Sequence, residues 1–136
     1  MSATKNGDTV TSGSMELTLY PEWRLVVLRF VTDISLMGTH GVALVDALKS
    51  VTGASGERFA LLADCKGAYA TDADYRAATG NFFRDHRDAA RIALFNLGPI
   101  IRVVAEMFRV GIGLHLKTFA DEAAARAWLQ AQGIRA

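Results

Sequence analysis

The stretch Arg58-Phe59-Ala60-Leu61-Leu62-Ala63-Asp64-Cys65 decides the fold. It is a near-continuous apolar run, the pattern of a strand covered on both faces. Arg91-Ile92-Ala93-Leu94-Phe95-Asn96-Leu97 is a second run of the same kind. Strands buried on both faces need helices on both sides, which means a largely parallel sheet. The segment between the two runs reads as that covering helix. Thr71 and Asp74 resemble a capping box, and Tyr75, Ala78, Phe82 and His86 follow on one stripe. Residues 66–70 read as a loop.

Working outward, Gly98-Pro99 opens another helix, with proline in the first turn where its missing N–H costs little. Gly111-Ile112-Gly113 ends it. Residues 114–119 form a last strand, and Asp121 caps a terminal helix that Gly133 stops. Towards the other end, residues 16–20 alternate Leu17 and Leu19 against Glu16 and Thr18, a half-buried strand. Pro21-Glu22 turns the chain into a second strand over residues 24–31, so the two form a hairpin. Asp33 or Ser35 caps a helix carrying Met37, Val42, Leu44, Val45, Leu48 and Val51. Gly38 and Gly41 weigh against its first turn. The order is β-β-α-β-α-β-α-β-α. It predicts a single α/β domain with a five-stranded mixed β-sheet, four helices and right-handed crossovers.

The 136 residues amount to one domain over residues 15–136, preceded by a tail, residues 1–14, rich in Ser, Thr and Gly and expected to be disordered. Fifteen Lys and Arg against fourteen Asp and Glu give +1, which offers little counterion release, so no nucleic-acid partner is expected and that role is the least supported. One cysteine supplies neither an internal disulfide nor a cysteine-rich zinc site. The opening residues hold no apolar run of secretory type, and charges interrupt every longer run, so no transmembrane segment is expected. With a lone thiol, the expected location is cytoplasmic.

The segment Leu116-Lys117-Thr118-Phe119-Ala120-Asp121-Glu122-Ala123-Ala124-Ala125-Arg126-Ala127-Trp128-Leu129 resembles the final strand and helix of the SpoIIAA-like proteins, within the STAS-like group. Arg91-Ile92-Ala93-Leu94-Phe95, and Leu61-Leu62-Ala63-Asp64 followed by Gly67, are similar to inner strands of that family. The resemblance covers residues 15–133 and implies the family's α/β fold. Members of the wider group that antagonise anti-sigma factors carry a phosphorylatable serine, in an Asp-Ser-x-Gly pattern, at the start of the helix after the third strand. Here the loop reads Tyr69-Ala70-Thr71-Asp72-Ala73-Asp74. The resemblance makes Thr71 and Asp72 the candidate phospho-site or switch loop. Asp72 would hold a fixed negative charge at a helix N-terminus, where the dipole favours it.

Asp64 lies at the carboxyl end of a parallel strand, where α/β folds place ligands. Asp64, Lys66 and Tyr69 therefore form a candidate ligand loop. Cys65 lacks a neighbouring base and reads as a core thiol. His40, His86 and His115 fall in three elements without ligand spacing, so no metal site, no cofactor and no catalytic residue is assigned.

The helix after Pro99 exceeds what one sheet face needs. Its charges, Arg102, Glu106 and Arg109, form one narrow stripe, and the remainder is apolar. Ile100, Val104, Met107 and Phe108 are the candidate interface. The function expected is a non-enzymatic regulatory or protein-interaction module, self-associating as a homodimer or binding a protein partner through this helix. The alternatives are a carrier of a small apolar or lipid-like ligand, and a small enzyme using the strand-end polar site.

Overall fold

The computed structural model describes residues 7–53 and 56–136. The hairpin is as expected: β2 (Met15–Tyr20) and β3 (Leu25–Phe30) pair antiparallel across a short 3-10 turn, Pro21–Trp23. β5 (Phe59–Asp64) and β7 (Ala90–Phe95) are the two apolar runs, and both lie in the middle of the sheet. β3, β5, β7 and β8 (His115–Phe119) are mutually parallel. Among the described residues four α-helices connect and cover them: α1 (Gly38–Val51), α2 (Ala73–Asp85), α3 (Pro99–Ile112) and α4 (Glu122–Ala131).

Among the described residues the sheet has six strands, not five, in the order β1-β2-β3-β5-β7-β8. The extra strand is β1 (Asp8–Ser12), which lies inside the segment read as a disordered tail. It pairs antiparallel with β2 from Asp8↔Leu19 to Ser12↔Met15. Thr and Val are stiff, β-branched residues that favour extended backbone even where little is buried. Composition alone reads Asp-Thr-Val-Thr-Ser as solvated coil, yet the ladder to β2 supplies its backbone partners. The tail expectation for residues 1–6 falls outside the described residues.

A second correction concerns two pieces read as a helix cap and a loop. β4 (Ile34–Leu36) and β6 (Ala68–Thr71) pair in parallel as a separate two-stranded sheet. Ile34 and Leu36 are buried, so this stretch is strand, and α1 starts only at Gly38. The α1 N-terminus is held by His40, whose Nδ1 accepts the Met37 N–H at 2.9 Å. Gly38 and Gly41 both lie close against α2. A Cβ on Gly38 would lie 2.8 Å from Asp74 Cβ, and one on Gly41 3.3 Å from Tyr75 Cα. The two glycines let α1 cross α2 at backbone distance.

The sheet divides the core unequally. On one face α1, α2, α3 and the small sheet enclose the larger cluster, centred on Leu17, Val26, Leu48, Phe59 and Leu61. On the other, α4 alone covers Leu25, Ala60, Leu62, Ala93 and Phe95. Side chains alternate between these faces along each strand. Asp64 therefore belongs to the α4 face, and Cys65 to the face of α1, α2 and α3.

Candidate functional site

Thr71 ends β6 and Asp72 is the N-cap of α2. The Asp72 carboxylate accepts the Tyr75 N–H at 2.7 Å, so its charge closes the first turn of the helix. The Thr71 hydroxyl is half-buried. Arg76 Nη1 donates to both Thr71 Oγ1 and the Thr71 carbonyl, each at 2.8 Å. The cap falls on Asp72, one residue after the Thr71 of the expected capping box.

The candidate ligand loop spans two adjoining surface depressions. The Asp64 carboxylate accepts the Lys66 N–H and the Asn96 side-chain amide, both at 3.0 Å. It ties the end of β5 to the end of β7 and borders a depression shared with Arg29, Glu122 and Arg126. Lys66 and Tyr69 border a different open groove, with Asp33, Asn96 and Leu97. Asn96, at φ 58°, lies in the left-handed region that asparagine tolerates, in the loop that leads to α3.

The candidate interface splits in two. Val104 and Phe108 are half-buried and turn inward against the sheet, beside the buried Ile101 and Ala105. Ile100 and Met107 turn outward, and the same exposed row holds Val103 and Val110. These four side chains are 57%, 56%, 61% and 69% exposed. Val103 and Val110 belong to this exposed row and were not singled out from the sequence. The signal was there: positions 100, 103, 107 and 110 are spaced 3-4-3. Beside the row, Arg109 makes two 2.9 Å bonds to the Glu106 carboxylate, which lowers the Glu106 pKa chiefly through that hydrogen bond.

Beneath α3 lies a cavity of about 80 Å³ that the sequence did not reveal. Its lining is nearly all apolar and includes Leu28, Leu61, Ala63, Ile92, Val104 and Phe108, with Cys65, Thr71, Tyr75 and Thr79 as its polar members. Burial pushes the Cys65 thiol up to about 12, and the nearby Asp64 adds to this. Such a thiol stays protonated at neutral pH and is a poor nucleophile. Burial raises the Tyr75 phenol as well.

The histidines are dispersed. His40 caps α1, His86 packs on Phe82 and Phe59, and His115 lies beside Arg91 on β8. Desolvation, with Arg91 and Arg58 nearby, lowers the His115 pKa. Among the described residues no group of three His, Cys, Asp or Glu side chains comes together as a metal site. No helix among them is long and apolar enough to cross a membrane.

A six-stranded mixed sheet, with three helices on one face and one on the other, defines an α/β domain of STAS-like type. The family model described as SpoIIAA-like matches residues 34–130, and the chain belongs to that family. Its structure is similar to that of an uncharacterized protein with a SpoIIAA-like fold from Shewanella loihica PV-4. The two are 16% identical, with a TM-score of 0.61, over 95% of this chain and 98% of that one. It is also similar to part of murine Solute Carrier 26 family member A9, an anion transporter in the inward-facing state, at 16% identity and a TM-score of 0.56. That match covers 94% of this chain and 22% of the transporter. At these identities the likeness establishes the fold. No curated protein matches the chain.

Proposed function

We propose that this chain is a non-enzymatic interaction module, of a regulatory kind, that self-associates through α3. The observation that carries the reading is the outward row Ile100, Val103, Met107 and Val110, each more than half exposed. Spacing of 3-4-3 averages 3.5 residues, the repeat of a seam between two helices. A second copy of α3 offers the same row and closes the contact by two-fold symmetry. Glu106 flanks the seam, and Arg109 already neutralises it. Two heptads make a short seam, and association entropy offsets much of its burial. The dimer is expected to be weak, with a dissociation constant of roughly a micromolar or higher. A cytoplasmic location, from the lone thiol, belongs to the same reading.

Sedimentation equilibrium across a wide protein concentration range tests it. The wild type is expected to pass from monomer to dimer, and Met107→Glu to remain a monomer with unchanged circular dichroism. A wild type that stays monomeric throughout would remove self-association from the reading.

A second reading, a carrier of a small apolar ligand, is favoured by the cavity beneath α3. A dry apolar void of about 150 Å³ takes up benzene. This one is smaller, but one wall is the single helix α3, which buries only Ile101 and Ala105 fully.

A further inference from the structure

Tyr75 is the exception among the polar groups around the cavity. Thr79 Oγ1 donates to the Tyr75 carbonyl at 2.8 Å, and Thr71 Oγ1 accepts from Arg76. The Cys65 thiol has the Ala63 carbonyl at 3.8 Å. The Tyr75 residue is only 9% exposed and lines the cavity. Among the described residues its hydroxyl makes no hydrogen bond. Among the described residues no buried side-chain oxygen lacks a partner, so the phenol oxygen is accessible rather than sealed in, and its donor is free for an occupant of the space that Tyr75 lines. Water is a poor occupant, because a buried water needs two to four polar partners and this lining is chiefly hydrocarbon.

We propose that the cavity binds a small, uncharged, mainly apolar molecule with one hydrogen-bond acceptor, such as a short ketone, ester or ether, and that the Tyr75 hydroxyl donates to that acceptor. No charged side chain lines the cavity, so an ionised ligand would enter without a counter-charge. A phenol is protonated at neutral pH, hence a donor, and burial raises the Tyr75 pKa further. The volume of about 80 Å³ limits the ligand to about five heavy atoms unless α3 shifts outward. The inference rests on the carrier reading and adds to it a chemical class and an anchor.

Two probes of the same shape test it: butanone, and 2-methyl-1-butene, in which a methylene replaces the ketone oxygen. Methyl NMR titrations follow Ile101, Val104 and Ile92. Both probes are expected to shift these signals in the wild type, and Tyr75→Phe to weaken butanone about three- to tenfold while leaving the alkene unchanged. The Tyr75 ring signals of the wild type give a measurement independent of the variant, and are expected to move with butanone only. If neither probe shifts the cavity methyls, the carrier reading falls and the inference with it. If both bind but the Tyr75 signals and the Phe variant show no preference for the ketone, the anchor falls and the carrier reading stands.

Discussion

α3 and α4 cover opposite faces of one sheet, and they are built differently. α4 is fastened at both ends. Asp121 accepts the Ala124 N–H at 2.9 Å at its start. At its end Arg58 donates to the Gln132 carbonyl at 2.9 Å and Arg91 to the Gln132 side chain at 3.1 Å. Two guanidiniums there also complement the negative end of the helix dipole. Ala125 and Leu129 are fully buried, and Trp128 packs on Phe119. α3 begins at Gly98, which caps with no side chain. It leaves four large apolar residues outside and a void inside. A helix that only has to hold the sheet together has no use for that exposed row. The contrast marks α4 as a structural cover and α3 as the element whose remaining apolar surface is available for contact.

Truncation of side chains gives the largest separation between the two. Leu129 is 0% exposed, and Leu129→Ala is expected to cost about 2–5 kcal/mol, through lost burial and the cavity left behind. Met107→Ala is expected to stay within about 0.5 kcal/mol, as surface substitutions do. Urea denaturation of both variants checks this. A loss at Met107 as large as that at Leu129 would mean that α3 is already covered within the monomer, and the comparison would fail.

The next effect probes how firmly α3 seals the interior. The Cys65 thiol lies under it with its pKa raised from 9.0 to about 12 by burial. Below the unfolded value both states carry the proton, and this stabilising preference is intact. As pH rises from 9.0 towards about 12 the unfolded chain releases the proton and the folded one keeps it, so stability falls. By about pH 10.5 the loss is on the order of 2 kcal/mol. Thermal melts over this window are expected to decline more steeply for the wild type than for Cys65→Ala. Equal slopes would mean that water reaches the thiol and that α3 stands open.

These contrasts were unevenly legible in the sequence. β5 and β7 were plain because burial on both faces writes an unbroken apolar run. Asp121 was plain because a cap is a local device. β1 was not, since Asp-Thr-Val-Thr-Ser buries little and its order comes from hydrogen bonds to β2. β6 was hidden because Ala68 and Ala70 give four residues little pattern. On α3 the periodicity gave the width of the apolar arc but not its rotation against the sheet, so Val104 and Phe108 were assigned to the outer surface. The cavity left no trace in any one segment. Its lining includes Ala63, Ala68 and Ala105, small residues of β5, β6 and α3, together with Tyr75 of α2.

The caps give the smallest and most local test of the comparison. Asp121→Ala removes the side-chain acceptor of the α4 N-cap and is expected to cost about 1 kcal/mol. Gly98 has extended backbone at φ −75° and ψ 171°, the geometry of an N-cap, and a Cβ there meets no heavy atom within 4 Å. Gly98→Asp can therefore adopt the native conformation and offer its carboxylate to the first-turn amides of α3. Glycine is itself an acceptable N-cap, so the gain is expected to be only a few tenths of a kcal/mol. A larger gain would imply that the start of α3 frays in the wild type. A loss would imply that the Asn96–Gly98 bend depends on the freedom of glycine. In either case the native cap geometry at Gly98 would not account for how α3 begins, and the comparison with Asp121 would have to rest on the C-terminal contacts of α4 alone.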